Sequence, residues 1–228
     1  MSDAPNPALQ SANSQPSVDV DTVVDTVVET GQDMRNELRK KLSSTRRQLS
    51  DVQVLEYSSV ICHKLLSLIK PSTNIGGYLA VGNEVRIDPA LDTARQRLCK
   101  TYVPIIQSDH QMVFAQIDDD MTLIKNKFGI LEPDLAISTC ILSGSLDAVL
   151  VPLVGFDEQC QRMGMGGGFY DRAFAENKHL QDEVTKPLLI GVAYDIQQTA
   201  SVLPDWWDVP LDVIVTETRI LRRRPSSQ

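Results

Sequence analysis

The run DAVLVPLV, residues 147–154, is apolar at nearly every position and empties into a segment holding four glycines, Gly164, Gly166, Gly167 and Gly168, within five residues. A strand that is apolar on both sides of its pleat must be covered on both faces, which requires a sheet sandwiched between helices. Further strand-like runs, NIGGYLAV, KTYVPII, MVFAQI, PLLIGVAY and DVIVTET, appear after Pro71, with helical segments PALDTARQRL and YDRAFAENKHL interspersed. Ahead of Pro71, MRNELRKKLSSTRRQL and DVQVLEYSSVICHKLLSLIK carry apolar residues at helical spacing, with Ser50-Asp51 as the cap between them. The expected fold class is α/β, a three-layer sandwich with a mostly parallel central sheet and an antiparallel hairpin around Gln107 to Gln111. Open sheets of this kind bind ligands at the carboxyl ends of their strands, where the glycine loop leaves DAVLVPLV.

The glycines read as an anion cradle. Without a Cβ, Gly164, Gly166, Gly167 and Gly168 are free to take positive φ and to let several N–H groups converge on a phosphate. A helix over FYDRAFAENKH would add the donors of its first turn. Arg162 ahead of the glycines suits phosphate oxygens, and Asp171 behind them suits a metal ion held against the anion. A plain glycine turn beside a surface salt bridge is the alternative. The loop is not a Walker A, having no Gly-Lys-Ser/Thr, and Phe169 stands where the third glycine of the dinucleotide pattern belongs. Neither a His-Arg-Asp nor an Asp-Phe-Gly motif accompanies it.

A chain of 228 residues suits one sizeable α/β domain. Its net charge of −8 argues against a nucleic-acid surface and favours a small-molecule partner. Cys62, Cys99, Cys140 and Cys160 show no CxxC spacing and His63, His110 and His179 are scattered, so neither a zinc site nor a disulfide framework is indicated. No apolar run reaches the length of a membrane span, so no membrane partner is expected and the cytoplasm is the default location. Residues 1–30, with the near-repeat VDTVVDTVVET, read as a disordered or loosely helical acidic extension; residues 31–222 form the expected domain and 223–228 a tail.

The ordered set RNELRKKL, YLAVGNEV, FGILEP (Phe128 to Pro133), VPLVGFDEQCQRMGMGGGFYDR and VPLDVIVTE resembles the 5-formyltetrahydrofolate cyclo-ligase family over nearly all of residues 33–220. The resemblance implies a fold similar to the NagB/RpiA/CoA-transferase-like class. It implies that Arg35 and Arg39, four apart and so on one helix face, contact ATP, although the same run reads without the family as a solvated basic face. It makes Arg162, Gly164, Gly166, Gly167, Gly168, Phe169 and Tyr170 the ATP loop, with Arg162 catalytic. Phe169 and Tyr170 would also line the folate cleft, and packing of their rings under the following helix is a second use. Leu79 and Glu84 would touch the folate, Glu84 by accepting from pterin nitrogens. Asp171 and Asp212 would hold Mg2+, which requires the VPLDVIVTE segment to lie beside the glycine loop. Two departures from the family pattern stand out: Cys160 occupies a turn position where relatives usually carry Gly, and Met163 replaces a common Leu.

The reaction so implied is ATP-dependent closure of 5-formyltetrahydrofolate to 5,10-methenyltetrahydrofolate with release of ADP and phosphate. A monomer is expected, because nothing in the sequence encodes an assembly surface. The formyl oxygen is itself the nucleophile toward the γ-phosphorus, so positioning and charge neutralisation suffice and no nucleophilic triad is needed. Two other readings are a ligand-sequestering paralogue, and an isomerase or acyl-CoA transferase of similar architecture that needs a carboxylate in the cleft and no ATP.

Overall fold

In the computed structural model the described residues are 20–107, 111–118, 121–125, 131–136, 139–175 and 186–224. The chain opens with helices α1 (Val20–Arg47) and α2 (Asp51–Leu65). Strand β1 (Asn74–Gly76), helix α3 (Asp88–Gln96) and strands β2 (Lys100–Ile106) and β3 (Met112–Gln116) follow. Next come a small hairpin, β4 (Leu123–Lys125) and β5 (Leu131–Pro133), then β6 (Ala148–Pro152) and the short pair β7 (Gly155–Phe156) and β8 (Arg162–Met163). Helix α4 (Phe169–Ala173) and strands β9 (Leu188–Val192), β10 (Val213–Val215) and β11 (Ile220–Arg222) complete the order.

The central sheet has seven strands in the order β11-β10-β9-β6-β1-β2-β3. Strands β2, β1, β6, β9 and β10 are parallel, and β3 and β11 run antiparallel at the two edges, which bears out the mostly parallel sheet. Gln107 N–H donates to the Gln111 carbonyl at 2.9 Å, closing the expected hairpin between β2 and β3. The apolar run of β6 has the cause inferred for it. Ala148 and Leu150 pack with Val54, Ile61 and Leu65 of α2 and Ala90, Leu91 and Ala94 of α3, while Val149 and Val151 face Phe114, Phe156 and Phe174 on the other side. Both faces are covered, so neither side of the strand has use for a polar residue. The Ser50 cap also forms as a reciprocal box: Gln53 N–H donates to Ser50 Oγ at 3.3 Å and Ser50 N–H to Gln53 Oε1 at 3.0 Å.

Helix α1 begins at Val20, so of the two readings of the extension, disordered or loosely helical, the backbone of residues 20–30 takes the helical one. Two other expectations change. Strand β1 stops at Gly76, and Tyr78 to Glu84 of the run beyond it form a loop. Helix α4 covers five residues; of YDRAFAENKHL, residues 176–180 lie outside the described residues, as do Phe128 to Ile130 of FGILEP. The pairs β4/β5 and β7/β8 and the edge strand β11 are two or three residues each, too short to carry a period.

From β1 the chain moves to β2 on one side, and it later returns to β6 on the other side. This is the topological switch point of the sheet, where the loops leaving two adjacent carboxyl ends splay apart into a crevice. Those loops are Gly77 to Val85 after β1 and Leu153 to Gly168 after β6 and the β7/β8 pair. Helix α1 is seated over the second loop by Leu42, buried with Val154, Met163 and Val202, and by half-buried Leu38. The helix comes this close because residue 155 is glycine: a Cβ there would collide with Leu42 Cδ1 and lie 3.3 Å from the Gln197 carbonyl oxygen. Gly155→Ala should therefore lift the helix or distort Leu42 at a cost of about 1–3 kcal/mol, measured by urea denaturation, whereas Gly144→Ala, with open space around it, should cost less than about 1 kcal/mol.

Candidate active site

The β7/β8 pair lifts the glycine loop away from β6. Its turn is held by Asp157, whose Oδ1 accepts the N–H groups of Gln159 and Gln161 at 3.0 and 3.1 Å. Cys160 sits in this turn with φ 59°, in the left-handed region where glycine is at ease. This chain thus places a side chain at a left-handed position, a conformation costing about 1–2 kcal/mol. The Cys160 side chain is fully buried, and burial pushes its thiol up to about 11, so it stays a neutral packing group.

Beyond β8 the loop is open to solvent from Gly164 to Gly167. Of the four glycines only Gly166 (φ 95°) and Gly168 (φ 63°) use the left-handed region, fewer than the cradle reading allowed. Among the described residues, the consecutive N–H groups of Met165, Gly166, Gly167 and Gly168 donate to no protein acceptor. A row of exposed, unengaged donors around two left-handed residues is an anion nest. Its carbonyls are held instead: Arg39 Nε donates to Gly164 O at 2.9 Å, and Arg172 Nη2 to Gly167 O at 2.8 Å while its guanidinium lies 5.1 Å over the Phe169 ring.

The arginines expected on one face of α1 do share it. The Arg39 guanidinium carbon lies 3.7 Å from where a Cβ on Gly166 would stand, and Nη1 is braced by Asn36 Oδ1 at 2.6 Å. Burial, then the neighbouring Arg35 charge, push the Arg39 pKa down while Asp208 pulls it up. Arg35 reaches a different segment, pairing with Asp205 and with Asp208 Oδ2 at 2.9 Å.

Arg162 is placed as an interior counter-ion. Its side chain is 6% exposed; one nitrogen donates to the Val209 carbonyl and the other to Asp171 Oδ1 at 2.8 Å. Asp171 Oδ1 also accepts the Val209 N–H at 3.0 Å. Asp212 has other partners: its Oδ2 accepts Leu189 N–H at 2.9 Å, and its Oδ1 lies 3.2 Å from Arg223 and 3.6 Å from Lys186. The two aspartates implied for Mg2+ share no partner, and among the described residues no three potential ligands gather on one point. No contact among the described residues joins the pair. Asp171, in the first turn after the glycines and with Oδ2 unengaged among the described residues, fits a magnesium carried on phosphate oxygens, an ion that needs only one or two carboxylates.

On the other lip, Glu84 closes the loop after β1. Its Oε2 accepts Val81 N–H at 3.0 Å and its Oε1 lies 3.5 Å from Arg46 Nη1. Burial raises the Glu84 pKa, and the Val81 N–H and Arg46 oppose the rise. The same Arg46 nitrogen donates to the Leu153 carbonyl at 3.3 Å, tying the two splayed loops together. Leu79 is half-buried against the α2/α3 core. Burial pushes the Tyr170 hydroxyl up strongly, with Glu84 adding to the rise and Arg162 opposing it. Its ring also stacks on Phe174, centroids 6.3 Å apart, so the packing use of these aromatics holds.

The geometry adds Arg46, Arg172, Asp205 and Asp208 to the residues anticipated from sequence. Arg46 was hidden in a basic run, and the two aspartates in a loop with no periodic pattern. Because Arg162 is buried, Asp171→Ala should leave an uncompensated cation and lose about 3 kcal/mol in urea denaturation, with Asp171→Asn losing clearly less.

The model of the 5-formyltetrahydrofolate cyclo-ligase family matches residues 31–217. The 5-formyltetrahydrofolate cyclo-ligase of Haemophilus influenzae is 30% identical over 187 residues, covering 79% of this chain and 97% of that protein. The solution structure of Aquifex aeolicus 5,10-methenyltetrahydrofolate synthetase superposes with a TM-score of 0.70 at 28% identity, covering 86% of this chain and 95% of the other. The Mycoplasma pneumoniae 5,10-methenyltetrahydrofolate synthetase gives 0.63 at 28% identity, with coverage of 80% and 98%. With the switch-point crevice, the nest and the matched length taken together, this chain belongs to the 5-formyltetrahydrofolate cyclo-ligase family of ligases.

Proposed function

We propose that the protein closes 5-formyltetrahydrofolate to 5,10-methenyltetrahydrofolate in an ATP- and magnesium-dependent reaction that releases ADP and phosphate. The observation that carries this reading is the row of unengaged N–H groups from Met165 to Gly168 lying against Arg39, a nest and a guanidinium suited to one polyphosphate. Family membership supplies the folate. The crevice between the nest and the loop carrying Leu79 and Glu84 offers it a place at the switch point.

The chemistry follows from what these groups do. A formamide oxygen is a poor leaving group, so it attacks the γ-phosphorus and ADP departs. The product is a phosphate ester on an iminium carbon, to which N10 adds with loss of its proton; phosphate then leaves with its electron pair and the conjugated methenyl bridge remains. The chain's part is positioning and charge neutralisation. The nest and Arg39 orient the triphosphate, with Arg35 one turn along the same helix face. Phe169 and Tyr170 border the cleft, and Glu84 accepts from the pterin. Bound magnesium, carried by Asp171 and the phosphates, would neutralise charge on the transferring group. Arg162 is engaged with Val209 and Asp171, so its role in this reading is to hold Asp171 beside the nest.

Incubating the purified protein with 5-formyltetrahydrofolate and magnesium should yield the methenyl chromophore with ATP present and none without it, and chelating the metal should stop the reaction. ATP-independent turnover, or no product with all components present, contradicts the reading. Arg39→Ala should raise the KM for ATP about 10-fold, as expected for loss of a charge-assisted phosphate contact, and should leave the KM for the folate within about 2-fold.

A further inference from the structure

Arg35, Arg39 and Arg46 stand at positions i, i+4 and i+11 of α1, close to one line along a helix of 3.6 residues per turn. Each meets a different segment: Arg35 the Asp205 to Asp208 loop, Arg39 the glycine nest, and Arg46 the loop after β1. Arg46 is the deepest in consequence. Its side chain is 12% exposed and that of Glu84 15%; Nη1 is shared between Glu84 Oε1 and the Leu153 carbonyl, and Nε is buried without an acceptor. A cation is kept there at the expense of one unsatisfied donor, in contact with a carboxylate at the lip of the crevice.

We infer that Arg46 is a positioning residue for folate recognition: it fixes the Glu84 carboxylate against both switch-point loops and holds it ionised, so that it accepts from the 2-amino and N3–H donors of the pterin. This inference rests on the function proposed above. An ionised carboxylate is needed because a protonated one would turn a donor toward a donor. The groups in contact with Glu84 are Arg46 from α1 and the Val81 N–H in its own loop; the buried hydroxyls of Tyr78, which donates to the Val85 carbonyl, and of Tyr170 from α4 feel its charge. Among the described residues Arg46 is the one cation paired with Glu84. Burial already drives the carboxyl toward its neutral form, and the two phenols supply no positive charge to oppose it. Removing Arg46 must therefore raise the Glu84 pKa further, and the protonated fraction grows as pH falls.

The test is steady-state kinetics of the full chain at pH 6, 7 and 8, varying 5-formyltetrahydrofolate and ATP separately. Arg46→Ala should raise the KM for the folate about 10-fold at pH 7, more at pH 6 than at pH 8, with the KM for ATP within about 2-fold of wild type. Glu84→Gln should raise the folate KM without that pH dependence. Arg46→Ala added to Glu84→Gln should then cost little more, as expected for two residues acting as one unit. Arg46→Lys should restore most of the affinity and the wild-type pH profile. A loss that is independent of pH, equal for both substrates, or additive with Glu84→Gln overturns the inference. Should Arg46→Ala fail to fold, Arg46→Lys decides: a wild-type pH profile with near-normal folate KM supports the role, and equal impairment toward both substrates contradicts it. Wild-type protein without ATP-dependent turnover would overturn the proposed function; wild-type turnover with an indifferent Arg46→Ala would overturn the positioning role alone.

Discussion

The joint on which the site depends is the buried guanidinium of Arg162. It reaches out of β8 and donates to the Val209 carbonyl and to Asp171, which in turn accepts the Val209 N–H. Three segments distant in sequence are closed into one ring: the strand entering the glycine loop, the helix leaving it, and the loop ahead of β10. That last loop then presents Asp205 and Asp208 to Arg35, and the next arginine along α1 rests on the nest. Taking the Arg162 charge out of water is costly, and only a partner hydrogen-bonded on both sides compensates for it. The arrangement therefore fixes a geometry more than it adds stability.

The sheet explains why this geometry stands where it does. Reversal of direction at β1 and β6 leaves two loops with no strand between them, and a crevice there has one lip made of glycine backbone and the other of Glu84. Such a crevice would be loose without a cross-member. Helix α1 provides it, lying on Leu42 against Gly155 and reaching each loop with one arginine from a single stripe. Two of the three arginines are paired with carboxylates, and Arg39 is the one that rests on glycine backbone.

Much of this was legible in the sequence, wherever a local rule decides the outcome. The apolar β6 run announced a strand covered on both faces, Ser50 announced a helix start, and the clustered glycines announced a nest. The spacing of Arg35 and Arg39 placed them on one face. What the sequence concealed depends on contacts between distant residues. Arg162 reads as a phosphate ligand because a guanidinium suits phosphate oxygens, and its burial against Val209 and Asp171 has no signal in the loop sequence. The pairing of Asp171 with Asp212 that the resemblance implies likewise gave no sign that Leu189, Lys186 and Arg223 engage the second. Cys160 shows the same limit at short range, since a side chain was accepted in a left-handed turn because Asp157 binds the surrounding N–H groups.

The central claim is that the polyphosphate sits on the Met165 to Gly168 amides under Arg39. Amide hydrogen exchange of the full chain, with and without a non-hydrolysable ATP analogue and magnesium, tests it most directly. Protection that rises in residues 164–168 and in the α1 segment around Arg39 is the expected result. Nucleotide binding that protects other regions and leaves the glycine loop exchanging at its free rate would contradict the claim.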